Sequence, residues 1–304
     1  MQSNYASRLG YPSNAKLLML HADDVGVCHS INRATMAAFR SGAITSASIE
    51  VPAPWFGEIA EFSRRHPQYD FGLHLDLSCE WKTLRWPTVT PRDQAPSLID
   101  PVDGCMWGRP GPQPASSLIA QHARVEEVER EVRAQIERAL AFGLHPTHLD
   151  SHQITLFAKP EYYASLRKVA VEYGIPFILP RRILSGPLAR VVQPEDPVFE
   201  TYTELSGPAT ELHNWPRFYA KVFDDLKPGL NMILFHLAFD DDEMKAVAFE
   251  TPDWGSAWRQ ADYDFVTSSH CRQLISSHGV KLINWRDVAR LWPHSNSSLR
   301  TAGA

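Results

Sequence analysis

The chain has 304 residues, 44% hydrophobic and 21% charged, with a formal net charge of −5 at pH 7. That is long enough to bury a full core, as one α/β barrel or as two smaller domains, and the composition is that of a globular protein. The acidic balance speaks against a nucleic-acid partner, which would want a basic face, and no apolar run approaches the ~20 residues that cross a bilayer.

The first sixteen residues are polar and hold no apolar stretch of the signal-peptide kind. Cys28, Cys79, Cys105 and Cys271 are far apart and form no C-x-x-C pair. Reduced thiols and a cytoplasmic protein are therefore expected. The first apolar run, Leu17 to Leu20, is short enough for a buried strand, and it leads into two adjacent acids, Asp23 and Asp24. Neighbouring carboxylates at a strand end repel, so they call for a bound cation, a shared proton or solvent.

INRATMAAFR (31–40) has helical character, with Ser30 placed to cap it and Gly42 just past its end. ITSASIEV (44–51) reads as a strand, and a helix follows near 55–65. In DFGLHLDLS (70–78) Phe71, Leu73, Leu75 and Leu77 alternate with Gly72, His74, Asp76 and Ser78, so His74 and Asp76 share one face of a strand. Residues 79–118 are rich in proline and lack periodicity, as in a lid or binding loop. Trp81, Trp86 and Trp107 within it either floor a sugar site or anchor the loop to the body, and anchoring is the preferred reading.

Val125, Val128, Val132, Ile136 and Leu140 recur at helical spacing up to Gly143. THLDSH (147–152) is then a short strand, 160–174 a helix opened by Pro160, and IPFILP (175–180) another strand. Residues 183–215 carry no clear pattern. A helix near 216–226, the strand NMILFHLAF (231–239), a helix over 261–278, a strand at 281–285 and a last helix to about 292 complete the chain. Strands alternating with helices seven times, without repeat or linker, predict a single α/β domain over 1–293 with a mostly parallel sheet, one strand short of a full (β/α)8 barrel and with a doubly wound sheet as the alternative, and a flexible tail at 294–304. No glycine-rich phosphate loop follows the first strand, which speaks against a dinucleotide cofactor.

In such a barrel the C-terminal strand ends form the active face. Asp23 and Asp24 end the first strand, His74 lies in the third, His148, Asp150 and His152 surround the fourth, and His236 ends the penultimate one. The other nine of the thirteen histidines, His21 among them, read as core or surface residues. One carboxylate and two imidazoles can hold a divalent cation, which polarises a carbonyl and activates water as nucleophile, while a second aspartate serves as base and a histidine as acid.

HADDVG, GLHLDLS, PTHLDSH and FHLAF, in this order between about 16 and 290, resemble the YdjC-like carbohydrate deacetylases, a family similar in chemistry to the polysaccharide deacetylases. The resemblance implies a distorted TIM-like barrel that removes acetyl groups from N-acetylated sugars with the help of Mg²⁺ or Zn²⁺. It makes Asp23 the base, Asp24, His74 and His152 the metal ligands, and His236 the acid. Asp150 and His148 are expected to support the ligands from behind. The expected partner is a small sugar, with no nucleic acid and no membrane, and a homodimer is left open.

The pattern departs after His152, where family members carry further histidines and this chain has Gln153, Ile154 and Thr155. Two rival readings use the same atoms. His74 and Asp76 mimic the H-x-D pair of Fe(II) oxygenases, and a degenerate barrel would bind sugar without turning it over. Arg181 and Arg182, and the acids Asp240 to Glu243, are expected to be surface or loop residues.

Overall fold

The structure, a computed structural model, describes residues 5–108, 113–204, 214–249 and 254–293. A short helix α1 (Tyr5–Arg8) precedes β1 (Lys16–Val25), which is buried along all but its first residue. Continuous burial is what a parallel strand covered on both faces requires. The strands that follow are β2 (Ser46–Glu50), β3 (Phe71–Leu75), β4 (Leu149–Ser151) and β5 (Leu179–Pro180). Each of the first three pairs in parallel with the next, and β5 joins β4 through the Leu149–Phe177 bridge and the Ile178 N–H donating to Leu149 O.

The segment 198–203, unread in the sequence, joins the two edges of this sheet. Its first part, β6 (Val198–Phe199), pairs with β5, and its second, β7 (Thr201–Thr203), pairs with β8 (Gly229–Phe235). Since β8 pairs along its whole length with β1, parallel pairings run right around a distorted TIM-like barrel. A last short strand, β9 (Lys281–Leu282), pairs with Leu17 and Leu18 of β1, below the part of β1 that β2 reaches.

Helices α2 (His29–Arg40), α3 (Phe56–Arg65), α4 (Ala115–His122), α5 (Val125–Ala141), α6 (Pro160–Tyr173) and α7 (Trp215–Asp225) connect the strands. The chain continues through α8 (Asp242–Val247), α9 (Ser256–Thr267), α10 (Ser269–Ser277) and α11 (Trp285–Ala289). None of the described helices is long and apolar enough to cross a membrane.

Four sequence expectations are corrected. Ser30 does not cap α2: the helix starts two residues earlier than expected, at His29, Cys28 makes no side-chain cap, and the Glu243 carboxylate accepts the N–H groups of His29 and Ser30 at 3.2 and 2.7 Å. Glu243 thereby leaves the solvated role assigned to it. The helix expected over 261–278 is two helices, because Ser268 takes an extended conformation and its hydroxyl caps α10 at the Cys271 N–H. The loop expected to be structureless over 79–118 contains a 3₁₀ turn at Pro96–Leu98 and isolated bridges, and its last residues, from Ala115, already belong to α4. The strand expected at 281–285 stops after Leu282, and Asn284 with Asp287 forms a capping box for α11. The expected tail from 294 lies outside the described residues.

Period-two alternation sorts the barrel into an inside and an outside. Leu18, Leu20 and Ala22 of β1 join the large core beneath the helices, whereas Leu17 and Met19 join Leu230, Met232, Phe199 and Trp285 inside the barrel. Higher up, the inward positions turn polar, with His21, Ser46, Ser48 and His148, and above them Asp23, Glu50, His74 and Asp150, all buried. Gly72 faces inward among them. A Cβ there would sit 2.4 Å from the His148 ring and 2.5 Å from its carbonyl oxygen, so only glycine leaves room for that histidine.

Candidate active site

On strict alternation Asp24 would point outward with Ala22. Instead the pairing of β1 with β2 shifts register between Ala22 and Val25, and Asp24 takes a positive φ of 54°. The bulge turns its carboxylate to the same rim as that of Asp23, and aspartate is one of the few side chains that tolerate this backbone region. The paired acids are thus a local distortion of a strand that runs on to Val25, past the end expected for it.

Asp24 is the hub of the rim. Its Oδ1 lies 3.6 Å from His74 Nε2 and 3.5 Å from His152 Nδ1, and its Oδ2 accepts a 2.8 Å bond from the buried Arg259 guanidinium. His74 turns its other nitrogen, Nδ1, to Asp150 Oδ2 at 3.0 Å, which fixes the ring with Nε2 facing Asp24. His152 turns Nε2 to Glu80 Oε2 at 2.8 Å, and its Nδ1 also lies 3.5 Å from Glu50 Oε1. One donor atom each from Asp24, Glu50, His74 and His152 lies within 4.8 Å of every other, all four residues being buried. Oxygen and imidazole donors converging at this spacing suit a divalent cation.

Asp23 stands on the other side, its Oδ1 3.4 Å from His236 Nε2. His236 also approaches Glu204 Oε2 at 3.7 Å, and its backbone N–H donates to Asp262. Asp262, buried between α9 and α7, accepts further bonds from Trp215 Nε1 and the Tyr219 hydroxyl.

The charges follow from this wiring. Burial, together with the Asp24 and Asp150 carboxylates, raises the Asp23 carboxyl well above the usual carboxylate range. Burial opposes the charge on Asp24 as well, but Arg259 and the two histidines His152 and His236 outweigh it and hold Asp24 well below that range. Burial also disfavours a charged His152, yet Glu80 and Glu50 raise it well above an ordinary imidazole. His236, lacking comparable support, is pushed by burial down to about 3. Two adjacent aspartates therefore differ in kind, one an anion clamped by arginine and the other a carboxyl ready to exchange a proton.

These groups open onto a cavity of about 420 Å³, walled by Trp81, Tyr202, Trp254 and Ile154. Gln153 and Ile154 both hold positive φ, 50° and 52°, and Gln153 accepts a bond from Ser78 Oγ at 2.9 Å. A β-branched residue in that conformation is strained, and it sits where the chain departs from the family pattern.

Of the other residues singled out in the sequence, His148 lies deeper. It bonds Thr147 Oγ1 at 3.0 Å, stacks on Trp285 at 4.7 Å and makes an edge contact with His21. Asp76 accepts a bond from Trp86 Nε1 and belongs to none of the three donor clusters among the described residues, so the H-x-D pair of an oxygenase does not form. Trp86 and Trp107 anchor the loop, the latter stacked on His122, while Trp81 reaches the cavity. Arg181 pairs with Glu200, as a loop residue would, but Arg182 lines the cavity. Sequence reasoning missed Glu50, Glu80, Glu204 and Arg259. A lone acid closing the β-prone run ITSASIE was a usable signal for Glu50; Arg259, inside an ordinary amphipathic helix, offered none.

The sequence model of the YdjC-like protein family matches residues 17–277. The chain belongs to that family. Among its relatives within and around it, a carbohydrate deacetylase of Thermus thermophilus is 28% identical over 290 residues, covering 92% of this chain and 96% of its own. A chitooligosaccharide deacetylase of Yersinia pestis is 29% identical over 275 residues, covering 90% and 99%. Among solved structures, an Enterococcus faecalis protein described provisionally as a cellobiose-phosphate cleavage protein superposes with a TM-score of 0.69 at 22% identity, over 90% of this chain and 99% of its own, and so shares the YdjC-like barrel.

Proposed function

We propose that this chain is a carbohydrate deacetylase that hydrolyses the acetamide of an N-acetylated sugar, with a divalent cation, Mg²⁺ or Zn²⁺, held by Asp24, His74 and His152. The observation that supports the reading is one buried rim on which the donor cluster of Asp24, Glu50, His74 and His152 lies beside a second carboxyl, Asp23, whose Oδ1 faces His236 Nε2 at 3.4 Å. When bound, the cation would supply Lewis acidity, polarising the acetyl carbonyl and easing deprotonation of water.

The chain's own residues do the rest. Asp23 accepts the proton of the attacking water as its oxygen bonds to the acetyl carbon. The carbon–nitrogen bond then breaks, and the departing amine needs one proton. His236 is neutral at rest, but its Nε2 lies 3.4 Å from Asp23 Oδ1, so the proton taken from water is already beside the group placed to deliver it. Asp150 and Glu80 hold the two imidazoles in orientation, and Arg259 keeps Asp24 ionised. Trp81, Tyr202 and Trp254 offer apolar faces against which a pyranose can lie.

The test is acetate release from a panel of N-acetylated mono- and oligosaccharides, with elemental analysis of the same protein and of a His74→Ala/His152→Ala double variant. Acetate release that vanishes together with the metal in the variant is expected. Stoichiometric metal without acetate from any N-acetylated sugar would overturn the reading.

A further inference from the structure

We propose that Glu50 is a fourth protein donor to the cation site, so that the centre is built from two carboxylates and two imidazoles. The proposal rests on the reading of Asp24, His74 and His152 as cation ligands and adds to it a residue that no motif marks.

Glu50 ends β2 in register with His74 of β3, which sets the two side chains next to each other on the inner face. Its exposure is 0%, and neither carboxylate oxygen receives a hydrogen bond among the described residues. The nearest basic atom is His152 Nδ1 at 3.5 Å, itself a donor of the cluster. The chain supplies its own comparison. Two other glutamates among the described residues are buried, Glu131 as deeply and Glu127 nearer the surface, and both are fully bonded: Glu131 accepts the N–H groups of Val89 and Thr90 and the Gln135 amide, and Glu127 accepts the Ser97 N–H and hydroxyl and the Arg124 guanidinium. A glutamate buried for structural reasons is held in this way, because an unsolvated carboxylate without donors is costly. Glu50 has no such frame and is aimed at the point where Asp24, His74 and His152 converge.

Charge gives a second reason. Arg259 bonds Asp24 and offsets its negative charge, and a Glu50 carboxylate among the donors would add, beside Asp23 and Asp150, to the negative charge that a divalent cation needs in a buried site.

The experiment uses the full chain stripped of metal with a chelator and titrated with Co²⁺, for the wild type and for Glu50→Gln, an isosteric change. Affinity comes from the titration, the coordination environment from the visible Co²⁺ absorption, and folding from thermal melting. Glu50→Gln is expected to weaken Co²⁺ at least about tenfold and to alter the absorption. Its metal-free form is expected to melt no lower than the metal-free wild type, since the amide keeps the size of the side chain and no hydrogen bond is lost, while the rise in Tm on adding Co²⁺ shrinks. Equal affinity and an unchanged spectrum would overturn the role of Glu50 and leave the three-ligand site standing. If the wild type itself takes up no Co²⁺, the cation reading fails and Glu50 with it.

Discussion

Arg259 bonds Asp24 at 2.8 Å across 235 residues of sequence, and neither residue is more than 3% exposed. The same guanidinium donates to the Trp254 carbonyl and lies over the Trp81 ring at 5.4 Å, so one residue ties the hub carboxylate to two walls of the cavity. Arg259→Met would strand Asp24 as a buried charge without its partner. Stability of the metal-free protein should fall by about 3 kcal/mol, measured by urea unfolding. The deficit should narrow when cation is added, because the cation takes over compensation of Asp24. An unchanged unfolding midpoint would show that the pair contributes nothing.

Asp23→Asn keeps the size of the side chain and removes the base. Metal content should stay at the wild-type level while kcat drops by about 10²–10⁴-fold. Since the Asp23 carboxyl is raised above the ordinary range and must be ionised to act, wild-type kcat/KM should climb with pH above that range, and the residual activity of the variant should lack this limb. A variant as active as the wild type would remove Asp23 from the mechanism.

Asp262 sets a pH dependence of stability. Burial pushes its carboxyl from 3.8 up to about 7 even though it accepts three hydrogen bonds. The folded state thus holds this proton more tightly than the unfolded chain. The resulting stabilisation is complete below the unfolded value and is lost as pH rises through the folded one. Against Asp262→Asn, which cannot titrate, the wild type should lose stability on the order of 1 kcal/mol per pH unit between about pH 4 and about pH 7, then level off. Parallel curves for the two proteins would refute the assignment.

Gly72→Ala tests the polar interior. The added methyl meets both the ring and the backbone of His148, and neither can move without disturbing β4 or the Trp285 stack. A loss of more than about 3 kcal/mol, or failure to fold, is expected; a melting temperature like the wild type's would mean that the barrel interior yields.

Much of the architecture could be read from the sequence because its signals are local. The alternation around His74, the spacing from Val125 to Leu140 and the apolar run before Asp23 each report one buried face. Asp24, His74 and His152, whose side chains converge on one rim, are conspicuous in the sequence because they lie in short motifs at strand ends. What escaped reading depends on contacts between distant segments. Residues 198–203 make two short strands whose pairing is satisfied only by partners on either side, so no periodicity marks them. The break at Ser268 hides in a pattern that stays amphipathic through it. Glu80 and Arg259 are ordinary polar residues locally and acquire meaning only through His152 and Asp24, the distant partners that the fold brings to them.

The pairing of β1 with β8 has a consequence for biosynthesis. The strand that carries Asp23 and Asp24 leaves the ribosome well before its partner, which begins at Gly229, and His236 and Arg259 come later still. A nascent chain that runs only to His152, just past β4, already contains Asp24, His74 and His152, yet its two acids have neither the arginine nor the far wall of the barrel. The centre is therefore assembled late in translation, and premature termination before Arg259 would yield a fragment with the cation donors present and no finished site to hold them.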